Sequence, residues 1–136
     1  MDKISNILDN LKLNSVRLTN LKTSVNSSND RELETEWFYE IIKKEEDKLV
    51  ILASAETRVR LLFDIEATFL INFDIAKEIT DKKIEDNIDN LVYVASAKYS
   101  LLSSFVSDMM YDIPIPIAPY VNEEKIRKKI KHKILF

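Results

Sequence analysis

Leu61-Leu-Phe-Asp-Ile-Glu-Ala-Thr-Phe-Leu-Ile-Asn-Phe-Asp-Ile75 is the stretch whose reading decides the fold. Its odd positions, Leu61, Phe63, Ile65, Ala67, Phe69, Ile71, Phe73 and Ile75, are all apolar. Its even positions include Asp64, Glu66, Thr68, Asn72 and Asp74, interrupted by Leu62 and Leu70. A period of two puts alternate side chains on opposite faces of a strand, so one face is buried and the other wet. An antiparallel sheet allows a solvated face, and an all-parallel one does not. At ~3.3 Å per residue the run would extend ~50 Å, which predicts a bend or bulge within it.

Upstream, residues 36–43 read as a strand centred on Trp37, Phe38, Tyr39, Ile41 and Ile42, because aromatic and β-branched side chains suit a pleated surface. The charged turn Lys44-Glu-Glu-Asp-Lys48 joins it as a hairpin to a strand over 49–55, where Ala53, Ala55, Glu56 and Arg58 leave a helix as the alternative. Residues 16–25 make a first strand, followed by the polar run Asn26-Ser-Ser-Asn-Asp30. Asn and Asp tolerate left-handed backbone, so they take over the work of glycine, which this chain lacks. Ile4, Ile7, Leu8 and Leu11 recur at helical spacing, which predicts a short amphipathic helix over 1–13 with Asp2 as N-cap.

Downstream the period changes. Ile88, Leu91, Val92, Ala95, Tyr99, Leu102, Val106 and Met109 form one stripe, widened by Phe105 and Met110, which predicts a long helix within 81–111. Ser96, Ser100, Ser103, Ser104 and Ser107 lie mostly beside the stripe, where small side chains let another helix approach. Residues 113–121 form an extended strap, since each of Pro114, Pro116 and Pro119 fixes its own φ and keeps its predecessor out of the helical region. Asn122 then caps a basic helix over 122–134, with Glu123 and Glu124 at its positive end and Ile126, Ile130 and Ile134 as its apolar edge. The expected architecture is one α+β domain over 1–136, with a four-stranded antiparallel sheet across 16–76 and the helices packed on one side.

The chain has 136 residues, no glycine and no cysteine. The first zero excludes a P-loop, a dinucleotide fingerprint and a nucleophile elbow, each of which needs a residue without Cβ. The second excludes disulfides, thiolate zinc sites and a cysteine nucleophile. His132 is the only histidine and sits among lysines, so no metal ligand set and no catalytic residue is expected, nor any cofactor. The eleven serines come with no base or oxyanion motif in sequence proximity. No apolar run approaches the ~18 residues of a membrane span, and no signal peptide is visible, so a cytoplasmic protein is expected. Residues 125–136 hold six basic side chains and no acidic one, leaving 14 basic and 23 acidic in 1–124, a net of −9. Such an acidic body argues against a nucleic-acid partner and favours a contact between the tail and an acidic subunit surface, or solvation.

The order of elements and two quoted stretches resemble the SecB-like export chaperones. Asn90-Leu-Val-Tyr-Val-Ala-Ser-Ala-Lys98 is similar to the start of that family's long helix. Met109-Met-Tyr-Asp-Ile-Pro-Ile-Pro-Ile-Ala-Pro119 is similar to its passage into an extended apolar connection. The 60–74 strand, apolar on one face and acidic on the other, resembles the family's last strand, and the likeness spans about 16–130. Where the family carries Pro-Tyr and Arg-Glu pairs, this chain has Val94-Ala95 and Ala97-Lys98.

The resemblance implies an ATP-independent, non-enzymatic holdase that assembles as a dimer or tetramer and binds unfolded polypeptides in apolar grooves. Trp37, Phe38, Tyr39, Phe63, Tyr93, Ile115 and Ile117 are the expected client-binding residues. For the phenylalanines of the 61–75 strand, burial in the core is the competing reading. Asp64 and Glu66 lie closest to the family's acidic contact with the translocase motor, and protection of an antitoxin is a second expected role. The alternative is a dedicated module that recognises one folded partner.

Overall fold

The alternating pattern of residues 63–75 is realised as a central strand. In the computed structural model, which describes residues 10–25, 34–59, 63–115, 117, 121 and 125–128, the strands are β1 (Leu11–Val25), β2 (Glu34–Lys44), β3 (Lys48–Val59), β4 (Phe63–Ile75) and β5 (Ile126–Lys128). The helices are α1 (Asp81–Asp86), α2 (Ile88–Tyr93) and α3 (Ser96–Tyr111). The sheet runs β1-β4-β3-β2-β5. The first four strands pair antiparallel, and β5 pairs parallel with β2. The architecture is therefore α+β with a five-stranded mixed sheet, not four antiparallel strands.

Phe63, Ile65, Ala67, Phe69, Ile71 and Phe73 are all buried on one face of β4, while Asp64, Glu66, Thr68, Leu70, Asn72 and Asp74 are half-buried on the other. β4 pairs with β3 without any shift of register, so the irregularity expected within it lies elsewhere. It falls in β1, where the register with β4 slips between Leu13 and Ser15 and again between Leu18 and Asn20. β1 lies at the edge of the sheet, where an extra residue disturbs one ladder only. β1 also begins at Leu11, so the last part of the expected N-terminal helix is strand, and residues 1–9 lie outside the described residues. The charged turn closes as expected, with Glu45 N donating to Lys48 O at 2.8 Å.

The helical segment departs from one continuous rod. It breaks at Asn87, whose side-chain amide donates to Lys83 O at 2.9 Å, and tightens again at 94–95, where Ser96 Oγ donates to Tyr93 O at 2.7 Å. Side chains of this type compete for backbone carbonyls and interrupt the helical ladder. α3 ends at Asp112, whose φ of 59° is the left-handed cap that glycine provides elsewhere.

The buried face of α3 also differs from the expected stripe. Tyr99, Ser103, Val106 and Ser107 face inward, whereas Phe105 and Met109 are 63% and 72% exposed. The serines receive the proline strap rather than another helix. Ser107 Oγ accepts from Ile115 N at 2.6 Å, and Ser103 Oγ accepts from Ile117 N at 3.0 Å and lies 3.2 Å from Ile115 O. Each hydroxyl also donates toward the helix carbonyl three residues back, Ser103 Oγ at 2.9 Å from Ser100 O and Ser107 Oγ at 3.1 Å from Ser104 O, so its lone pairs remain free to accept the strap N–H groups. Ser103→Ala leaves the buried Ile117 N–H without an acceptor, so it is expected to lower stability by ~1–3 kcal/mol in urea unfolding.

The core lies between the sheet and the helices. Trp37, Ala55 and Ala67 stand in one cross-strand row, and the two alanines leave the space that Tyr99 fills. Its ring meets Trp37 at 5.6 Å and Phe69 at 6.5 Å between centroids, both edge-on, an arrangement favoured by the ring quadrupoles. Its hydroxyl lies 2.7 Å from Thr57 Oγ1 and donates to Ile65 O at 3.2 Å, so the polar end is satisfied under the roof. The C-terminal segment corrects a further expectation. Ile126–Lys128 is strand rather than helix, because the edge of β2 offers it a backbone partner, and residues 122–124 and 129–136 lie outside the described ones.

Candidate protein-interaction surfaces

The expected client-binding residues separate into two groups. Trp37, Tyr39, Phe63 and Ile117 are core side chains; Trp37 and Phe63 meet the α3 rings of Tyr99 and Tyr111, and Tyr39 donates its hydroxyl to Glu85 of α1. Phe38 is half-buried on the opposite face of β2, Ile115 is half-buried in the strap, and Tyr93 is 51% exposed at the end of α2. These seven residues do not form one groove. A different set of apolar side chains lies in the open, and it arises from the position of α3.

α3 runs beside the edge strand β1. Lys98 Nζ donates to Val16 O at 2.7 Å near one end, and Thr23 Oγ1 meets Met110 Sδ at 3.6 Å near the other. Leu101, Phe105 and Met109 follow Lys98 at spacings of three, seven and eleven, so they share its row on the flank beside β1. All three are exposed. On β1, Leu18, Leu21 and Val25 stand opposite Phe69, Ala67 and Phe63 and so point to the helix-bearing face, yet they too are exposed because the roof stops short of them. Edge strand and helix flank thus both carry exposed apolar side chains on the helix-bearing side of the sheet. Sequence periodicity placed Phe105 and Met109 in the core, and Leu101 beside it would have been the signal, since three apolar residues four apart form a row of their own.

The opposite face of the sheet is acidic. Register brings Glu36, Glu56 and Glu66 into one line across β2, β3 and β4, with Lys22 of β1 at its end. Like charges directly opposite one another destabilise a sheet, and the flanking cations compensate here. Arg127 Nη1 is 3.4 Å from Glu36 Oε2, and Arg58 Nε is 3.3 Å from Asp64 Oδ1. Asp64 and Glu66 both line an open groove of about 430 Å³.

Burial raises the Tyr99 phenol above its ordinary pKa; the Thr57 hydrogen bond opposes this, and the carboxylates of Glu56 and Glu66 add to the rise. Burial, then the hydrogen bond and charge of Glu85, raise Tyr39 as well. Both phenols keep their protons in the fold at a pH where the unfolded chain, at a pKa of ~10, loses them. The stability these two groups contribute is therefore fully present below about pH 10 and is lost as pH rises beyond it. Thermal unfolding between pH 8 and 11 is expected to show this decline, and Tyr99→Phe is expected to make it shallower.

Among the described residues no helix is long and apolar enough to cross a membrane, and no three His, Cys, Asp or Glu side chains are placed to hold a metal ion. No known family model matches the sequence, and no curated protein matches it. Solved structures share the fold, among them the following two. The Mycobacterium tuberculosis Rv1957 SecB-like chaperone, in complex with a ChAD peptide from the Rv1956 HigA1 antitoxin, superposes with a TM-score of 0.68 at 10% identity, over 83% of this chain and 89% of that one. A protein of unknown function from Streptococcus agalactiae superposes with a TM-score of 0.57 at 12% identity, over 79% and 95% of the two chains. The fold is SecB-like.

Proposed function

We propose that this protein is an ATP-independent, non-enzymatic holdase that binds unfolded or newly made polypeptides. The observation that carries the reading is the open apolar surface of Leu18, Leu21 and Val25 on β1 with Leu101, Phe105 and Met109 on α3. Exposed apolar side chains lower their free energy by covering an extended apolar segment, and the outer edge of β1, which pairs with no further strand among the described residues, offers main-chain pairing. A second copy of the chain would cover the same surface, so the reading includes a homo-oligomer, dimer or tetramer, that exchanges part of this contact for client. The Rv1957 chaperone holds an antitoxin peptide. By analogy of fold, protection of an antitoxin or delivery for export to the translocase motor through Asp64 and Glu66 are the contexts in which such a holdase would act.

The test is suppression of aggregation of a chemically unfolded client without nucleotide. Protection at a near-stoichiometric ratio is the expected outcome, and an absence of both protection and peptide binding overturns the reading. A dedicated module for a single folded partner is the second reading. It is favoured if affinity capture returns one folded protein at fixed stoichiometry while denatured clients are ignored.

A further inference from the structure

The hydrogen bonds of β4 fix which backbone groups of β1 face away from the sheet. Asn10 O accepts from Ala76 N, and the carbonyls of Thr68 and Asp64 accept the hydroxyls of Thr19 and Thr23. The even-numbered residues of β4 therefore turn their backbone toward β1. Along an antiparallel pair, residues that bond each other alternate with residues whose N–H and C=O point outward. Val16, Leu18, Leu21, Thr23 and Val25 stand opposite odd-numbered residues of β4, so theirs are the groups that point outward. All nine residues from Arg17 to Val25 are exposed.

Val16 differs from the other four. Its carbonyl accepts the Lys98 ammonium at 2.7 Å, and the ammonium stands where the N–H of an added strand would come. The neighbour of Lys98 in the first turn of α3 is the buried Tyr99, which anchors this end of the helix. Beyond Val16 the register slips between Leu18 and Asn20, then runs unbroken from Asn20 to Val25. Lys98 beside Val16 and Met110 beside Thr23 show that α3 follows β1 in the same direction. The helix covers ~18 Å between its two contacts and the strand ~23 Å, so Leu101, Phe105 and Met109 flank the unbroken stretch. The other face of that stretch presents Asn20, Lys22 and Ser24, with Lys22 directly across from Glu66.

We propose that Lys98 bounds a strand-pairing site on the edge of β1: an extended polypeptide adds to β1 along Asn20–Val25 and is stopped short of Val16 by the ammonium. The partner that fits alternates apolar residues, which pack on Leu101, Phe105 and Met109, with polar ones. It carries an acidic residue beside Lys22, where it continues the alternation of charge begun by Glu66 and Lys22. The proposal rests on the reading that the β1–α3 surface holds polypeptide, and it gives that surface a mode of pairing, a sequence pattern and a boundary.

The test uses the full chain and the fluorescein-labelled peptide Ser-Val-Ser-Val-Glu-Val-Ser-Val-Ser-Val, with fluorescence anisotropy as the first readout. N-methylation of alternate peptide amides is expected to weaken binding about tenfold or more, and exchange of its Glu for Lys about fivefold. Hydrogen exchange then maps the boundary. Saturating peptide is expected to slow the Leu21, Thr23 and Val25 amides about tenfold or more while Val16 and Leu18 stay unchanged. Lys98→Met is expected to extend that protection to Val16 and Leu18, whereas Lys98→Arg, which keeps a donor, leaves the boundary in place. Circular dichroism confirms that both variants are folded. An identical boundary in Lys98→Met and the wild type would overturn the stop, and equal binding of the N-methylated peptide would overturn strand pairing. Protection of these amides in the free chain that deepens with protein concentration would assign the edge to a second copy and overturn the site. If clients are protected from aggregation but the peptides do not bind, this site alone fails. If neither is seen, the proposed function fails with it.

Discussion

Trp37→Ala is expected to lower stability by about 3–5 kcal/mol, the range for removing a large aromatic from a packed core. Trp37 is 1% exposed, stands in the alanine row beneath α3, and meets the Tyr99 ring edge-on at 5.6 Å. Its loss leaves a cavity that the neighbouring alanines are too small to fill. It also removes the partner that positions Tyr99, whose hydroxyl ties α3 to β3 and β4 through Thr57 and Ile65. Domains of this size have a total stability of about 5–15 kcal/mol, so the variant is expected to be partly unfolded at physiological temperature. The indole Nε1 is buried without a hydrogen-bond partner among the described residues. Trp37→Phe removes that unsatisfied donor together with some volume, and the two effects oppose each other. It is therefore expected to cost much less than the alanine change. A shift of the urea midpoint for Trp37→Ala equivalent to less than ~1 kcal/mol would place the centre of the core elsewhere.

The second large effect concerns binding and leaves the fold alone. Leu101→Asp with Phe105→Asp alters two side chains that are exposed in the folded chain, and surface changes of this kind usually move stability by about 0.5 kcal/mol or less. If the β1–α3 surface holds clients, each of these side chains contributes ~1.5–3 kcal/mol when covered. Their joint loss corresponds to a drop in affinity of about two to four orders of magnitude. The double variant is expected to melt close to the wild type while failing to suppress aggregation. Sedimentation of the same variant separates the two occupants. A shift to monomer accompanied by retained client protection would assign the surface to self-association alone. Full protection and an unchanged assembly would remove the surface from consideration.

How far the sequence reveals this architecture differs between elements. The alternation of residues 63–75, the aromatic strand around Trp37 and the charged turn at 44–48 follow from local pattern and are realised in place. These are cases where each side chain's environment depends on its own strand. The helix boundaries are less legible, because Ser96 bonds the carbonyl three residues back at a break while Ser103 and Ser107 make the same bond inside the unbroken α3, so the residue type alone does not mark the interruption. The buried face of α3 was misread for a related reason. An apolar stripe names a face only if a partner covers it, and here the covering partner is a strap that needs hydroxyls, so Ser103 and Ser107 went inward and Phe105 outward. β5 was unreadable in principle from its own residues. Ile-Arg-Lys beside more lysines suits a helix, and only the vacant edge of β2, far upstream in the chain, makes it a strand. Among the candidate site residues, the acidic pair Asp64 and Glu66 was legible because both share the wet face of one strand. The row that joins Glu66 to Glu56 and Glu36 depends on inter-strand register, which no local window contains.

The two slips of register in β1 have a consequence for solubility. A long, flat outermost strand is a template on which further copies can stack without limit. In β1 the chain bends after Leu13 and again after Leu18, so an incoming ribbon finds only short straight lengths to match. The exposed Leu18, Leu21 and Val25 therefore stand beside an edge whose kinks disfavour the stacking of further copies.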